Sequence, residues 1–205
     1  MKEYQVKLVG TLPLLHGRRD TREEDPPGGA ANDSWYDRQW LYTHYADKSR
    51  NLIQPAHIVK AMLAGKGGGM RETAKSGSSK GKGKTEGMSR ACLRISPTLI
   101  PFNGGIQVPT EDEIRVLDPL EAWSLDGDDP AEVFVLRRMV DRGVMISQVA
   151  IHNWELDFTL IDTSDGYFDA DWLYEGVSYA MERIGMGTWR PDFGLGKVAE
   201  FGLVS

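Results

Sequence analysis

Apolar and polar residues alternate from the first residues of the chain. In Tyr4-Gln5-Val6-Lys7-Leu8-Val9-Gly10, Tyr4, Val6 and Leu8 share one face, the pattern of a half-buried strand. Pro13 closes it, because proline has no N–H to give a central ladder. Residues 18–34 are polar and include Pro26-Pro27-Gly28-Gly29, which predicts an exposed loop; the aromatic-rich stretch from Trp35 to Tyr45 is expected to pack back on the domain. Pro55 opens a short helix, with Ile58, Val59, Met62 and Leu63 as its apolar stripe and Gly65 as its end. Ala91 to about Phe102 reads as a strand. Val133–Val140 and Val144–Ile151 flank Asp141-Arg142-Gly143 as a hairpin. Trp154, Leu156, Phe158 and Leu160 alternate with Glu155, Asp157 and Thr159, the clearest strand in the chain. A helix follows from about Asp169 to Ile184 with Gly185 as its cap, and Lys197 to Leu203 forms a last strand. This order predicts one α+β domain: an antiparallel, ferredoxin-like sheet with helices on one face.

Between these elements lies a segment with no periodicity. Residues 64–90 contain eight glycines, four serines and no aromatic residue. Nothing in them promises to offset the entropy of ordering, so the expectation is a flexible loop. Charge sharpens the picture. The whole chain carries −6, but Lys60 to Arg94 holds nine Lys/Arg against two Glu, leaving the remainder at −13. Lys60, Lys66, Arg71, Lys75, Lys80, Lys82, Lys84, Arg90 and Arg94 are candidates for holding a nucleic-acid backbone as charge rather than as sequence. A lipid surface fits less well, since the segment lacks Trp, Phe and Leu to insert.

A second glycine-rich segment runs from Gly185 to Gly196. Gly187 and Gly196 suggest close backbone approach to a ligand, Trp189 and Phe193 could stack on bases, and Arg190 could pair with phosphate. The segment follows a helix and precedes a strand, which excludes a dinucleotide fingerprint.

Other chemistry is sparse. Cys92 stands alone and reads as a small buried hydrophobe. His16, His44, His57 and His152 have no metal-ligand spacing, so neither metal nor cofactor is expected. Asp126-Gly127-Asp128-Asp129 lacks the closing Glu of a calcium loop and reads as a turn. No run is long and apolar enough to span a membrane, and the N-terminus has no signal-peptide block, which points to a cytoplasmic protein.

Three segments together resemble the RAMP superfamily, the repeat-associated proteins of CRISPR systems. They are Val9-Gly10-Thr11-Leu12-Pro13-Leu14-Leu15-His16-Gly17, then Ile53-Gln54-Pro55 through Leu63, and Ile184-Gly185 through Gly194-Leu195-Gly196-Lys197-Val198. The resemblance implies a ferredoxin-like fold and RNA as partner, gripped by a basic thumb at 64–90 and by the glycine-rich loop. It also implies a homo-oligomer or a subunit of a ribonucleoprotein complex. Some members cut RNA, which would make His16, Asp20 or Asp33 the catalytic candidates of a metal-independent endoribonuclease. Solitary phage proteins look similar, so a protein-interaction module that blocks assembly of a CRISPR complex is a further alternative.

Overall fold

The computed structural model describes residues 1–17, 38–74, 81–126, 132–140 and 144–204. The alternation at the N-terminus forms β1 (Lys2–Gly10). It pairs with β9 (Glu155–Asp162) on one side and β10 (Gly196–Leu203) on the other, while β4 (Leu93–Ser96) completes the far edge. The order β10-β1-β9-β4 is antiparallel throughout. Tyr4, Val6, Leu8, Leu93, Ile95, Leu156, Phe158 and Leu160 line its buried face. Gln5, Arg94 and Asp157 lie on the other, exposed face.

Helices cover the buried face. α2 (Ala56–Ala64) lies against β4, and α6 (Ala170–Tyr179) against β10. α2 buries Val59, Met62 and Leu63, the predicted stripe, and α6 buries Trp172, Leu173 and Val177. Asp169 caps α6, its carboxylate accepting from the Trp172 N–H at 2.8 Å. The predicted helix to Ile184 ends in a π-helical turn, Ala180–Ile184, before Gly185 at φ 76°. The α+β class is therefore as predicted.

The architecture is larger than one sheet. A second sheet, in the order β2-β8-β7-β6, contains β2 (Leu14–His16), β6 (Arg115–Leu117), β7 (Glu132–Val140) and β8 (Val144–His152). β7 and β8 pair as the predicted hairpin, from Glu132↔His152 to Val140↔Val144. Pro13 interrupts the chain, which then resumes as β2 in the other sheet. Leu14, Val133, Val135, Val149 and Ile151 join the main core. The opposite face builds a smaller core of Leu15, Leu117, Ala122, Phe134, Leu136, Ala150 and Phe193. α5 (Pro119–Trp123) closes that core, opened by a capping box of Asp118 and Glu121. Short pieces complete the fold: α1 (Trp40–Thr43), β3 (Ile53–Pro55) and β5 (Leu99–Pro101), the last two paired.

Two expectations need correction. The strand foreseen from Ala91 to Phe102 begins only at Leu93; Ala91 and the half-buried Cys92 belong to a helix, and the strand stops at Pro97. Residues 64–90 are not one loop. They contain α3 (Gly69–Glu72) and α4 (Lys82–Cys92). α3 packs on α6 where two glycines meet: a Cβ on Gly69 would strike the Gly176 carbonyl, and it would lie 2.8 Å from the Ala180 Cβ. α4 turns Thr85 and Ser89 inward, one helical turn apart, with Cys92 following. Small residues, rather than aliphatic ones, make that face. The predicted loop over 18–34 and the first aromatics of the Trp35–Tyr45 stretch lie outside the described residues, while Trp40 is buried in the main core.

Substituting Gly69 with Val is expected to lower stability by about 1–3 kcal/mol, the usual penalty of overpacking. Urea unfolding measures it, and an unchanged midpoint would rule out the close approach of α3 to α6.

Candidate nucleic-acid interface

The basic segment gathers on the helical layer. α2 supplies Lys60, the following turn Lys66, α3 Arg71, and α4 Lys82, Lys84 and Arg90. Two glutamates neutralise half of these cations. Glu86 pairs with Arg71 at 3.0 Å and Arg90 at 2.7 Å, and Glu72 pairs with Lys82 at 2.6 Å. These bridges tie α3 to α4. Lys60, Lys66 and Lys84 have no carboxylate partner among the described residues; Lys84 lies 5.9 Å from the centre of the Tyr167 ring. A groove of about 290 Å³ between α2 and α4 is lined by His57, Lys60, Ala61, Ala64, Gly65 and Arg90. α4 opens with Lys82-Gly83-Lys84, no acidic residue and no side-chain cap. Cations at the positive end of a helix dipole are unfavourable there unless an anion approaches. Lys75 and Lys80 lie outside the described residues. Arg94 does not join this group, because β4 alternates and turns it to the opposite face of the sheet.

The second predicted element has another role. The Gly185–Gly196 segment is hydrogen-bonded along its length to the connection between β1 and β2. Gly194 N–H donates to Pro13 O at 2.9 Å, Thr188 N–H to Leu15 O at 3.2 Å, and Thr11 N–H to Leu195 O at 2.9 Å. Gly187, at φ 79°, presses on the Leu15 carbonyl, and Gly196 on that of Val9. The close backbone approach foreseen for a ligand is thus taken by the protein's own chain. Phe193 is fully buried between Trp189 and Trp123, at centroid distances of 5.3 and 5.7 Å, so it is a core residue and cannot stack on a base. Trp189 is half-buried, and Arg190 is exposed, its guanidinium donating to Gly185 O at 3.4 Å.

His16 is also structural. It is buried in β2; Nε2 donates to Ile53 O at 2.9 Å, and Nδ1 accepts from the Tyr45 N–H at 3.4 Å. Both ring nitrogens are engaged, and Tyr45 and Phe102 meet the ring edge-on. Burial depresses its pKa to about 4. A neutral, enclosed imidazole cannot reach a phosphodiester, so the proposed catalytic role falls. Asp20 and Asp33 lie outside the described residues.

A cleft of about 700 Å³, which the sequence did not signal, opens where β1 ends and β10 begins, lined by Thr11, Asn103, Asn153, Glu155 and Lys197 among others. Beside it Lys7 meets Glu155 at 2.9 Å, and the Asn103 amide donates to Glu155 and to Asp157. The Lys7 and Asn103 hydrogen bonds hold Glu155 below the usual carboxylate range. Among the described residues no cluster of His, Cys, Asp and Glu could hold a metal ion, and no helix is long and apolar enough to cross a membrane.

No protein-family model matches the chain, and no curated protein matches it.

His16 yields a pH prediction with a definite sign. Its folded-state pKa is below the value of an exposed histidine, so the unfolded chain binds the proton first. Its contribution is intact above about pH 6.5 and declines by about 3 kcal/mol as pH falls to 4. The wild-type protein should therefore lose more stability between pH 7 and pH 4.5 than His16→Gln, compared by urea midpoints. Parallel pH curves would contradict a neutral buried ring.

Proposed function

We propose that the protein binds RNA through the helical layer that covers its first sheet. The observation that carries this reading is the set of cations without carboxylate partners among the described residues, Lys60, Lys66 and Lys84, on α2, the turn after it and α4. Lys60 lines the groove shared by α2 and α4, beside the Glu86-paired Arg90. Cations without carboxylate partners among the described residues can neutralise phosphates, which releases the counterions condensed on a nucleic acid. The acidic remainder of the chain, at −13 outside residues 60–94, opposes polyanion binding elsewhere and favours one docking face.

The sheet order lends support to the RAMP-type reading. β1, β4, β9 and β10 are the first, second, third and fourth strands of their sheet, and the order fourth-first-third-second with helices after the first and third is what a ferredoxin-like arrangement would give. In this reading α3 and α4, which follow α2, form a helical thumb. Assembly along an RNA as an oligomer or a ribonucleoprotein subunit belongs to the same proposal. A second reading, capture of a protein partner, is favoured by one surface: Val116, Leu120 and Trp123 are large apolar residues exposed around α5 and the edge strand β6.

The test is salt-dependent binding of a single-stranded RNA. The logarithm of the wild-type affinity should fall by about 0.7 per phosphate neutralised for each decade of salt. Replacing Lys60, Lys66 and Lys84 together by Ala should lower affinity at least tenfold and reduce that slope by about 2. Unchanged affinity and slope would reject the helical layer as the binding face.

A further inference from the structure

Arg138, near the end of β7, is placed differently from an ordinary surface arginine. Phe134 and Leu136 face the smaller core. Arg138, two residues on, has the same face. Its guanidinium carbon lies 3.7 Å from the centre of the Trp189 ring. Trp189 is stacked on Phe193 with planes 13° apart, and Phe193 on Trp123 with planes 28° apart. The result is a column of three aromatic rings closed by a planar cation.

This cation is uncompensated. Arg138 Nε is buried without an acceptor, and the guanidinium makes no hydrogen bond or ion pair among the described residues. Burial depresses its pKa below that of an exposed arginine. A cation–π contact offsets only part of the cost of desolvating a guanidinium whose N–H groups lack an acceptor. A half-desolvated arginine held flat without a counter-charge is best explained by an anion that arrives later. Arg190 is one residue along from the indole, exposed, and likewise without an ion pair; exposed Asp192 pairs with neither arginine among the described residues. Trp189 itself is anchored by a φ of 58° and by the Phe193 N–H donating to its carbonyl at 3.2 Å. The shelf is thus preorganised by the fold.

We propose that Arg138, stacked on Trp189 with Arg190 beside it, is a nucleotide-binding shelf on the second sheet, apart from the helical layer. The guanidinium's terminal N–H groups hold a phosphate, and the base packs against the edge of the half-buried Trp189 ring. A free nucleotide and a nucleotide within RNA offer the same chemistry, and the experiment separates them.

The indole N–H signal of Trp189, assigned through Trp189→Phe, is followed by NMR while ¹⁵N-labelled protein is titrated with UMP, a short oligouridylate, inorganic phosphate and an acidic hexapeptide. The signal should move with UMP or with the oligouridylate, and the tighter of the two identifies the source. Arg138→Gln should weaken that binding at least tenfold. Arg138→Lys, which keeps the charge but loses the plane, should retain the phosphate response and lose the preference for UMP over inorganic phosphate. A signal that stays still with both nucleotides, one that moves only with the acidic peptide, or equal nucleotide affinity in well-folded Arg138→Gln or Arg138→Lys overturns the shelf. UMP reports on this site and the salt slope on the helical layer, so either can fail alone.

Discussion

The structure depends on a run of backbone hydrogen bonds between residues 11–15 and 188–195. Here the chain leaves the first sheet at Gly10 and enters the second at Leu14, and Pro13 offers a carbonyl but no N–H. Gly194 donates to that carbonyl, Thr188 to Leu15, and both Thr11 and Leu12 to Leu195. Trp154 reinforces the joint, its indole donating to Leu12 O at 3.0 Å while its ring fills the space a Cβ on Gly10 would take. The glycines of the segment serve this closeness. A side chain on Gly187 or Gly194 would meet backbone that cannot move aside, at a φ that L-residues rarely adopt. The two sheets can therefore share one core only because this segment lies flat against their junction.

The basic region follows a related logic. α3 and α4 carry few aliphatic side chains, and isolated they would be poor helices; Gly83 and Gly87 each weaken α4 by about 1 kcal/mol. Tertiary contacts supply what propensity lacks. Met70 is buried beside Gly176, Thr85 and Ser89 fill small spaces, and Glu86 and Glu72 bind cations from both helices. The bridges are half-exposed and individually modest. Their main effect is geometric: they engage Arg71, Lys82 and Arg90 in holding the helices together and leave Lys60, Lys66 and Lys84 without a carboxylate partner among the described residues.

The same division explains the fate of the candidate residues. Phe193 and His16 stand in segments that looked chemical, yet both are enclosed by neighbours distant in sequence: Trp123 for one, Ile53 and Tyr45 for the other. Arg138, by contrast, looked like one more polar residue of a hairpin. Its position over Trp189 arises from two elements some fifty residues apart and has no sequence signature. The capping box Asp118-Pro119-Leu120-Glu121 did announce α5 locally, and a search for that motif would have found the helix.

What the sequence alone determined were the strongly alternating strands β1 and β9, the β7–β8 hairpin, the stripes of α2 and α6, and the concentration of positive charge between Lys60 and Arg94. These depend on local periodicity and composition, which need no partner to be read. Only the tertiary structure decided that helices form within the glycine-rich stretch at 64–90, that a second four-stranded sheet forms beside the first, and which cations remain without a carboxylate among the described residues. Those outcomes depend on close approach between distant backbones and on pairing between distant charges. A glycine in this basic, glycine-rich stretch reads the same in the sequence whether it faces solvent, as Gly83 does, or another helix, as Gly69 does.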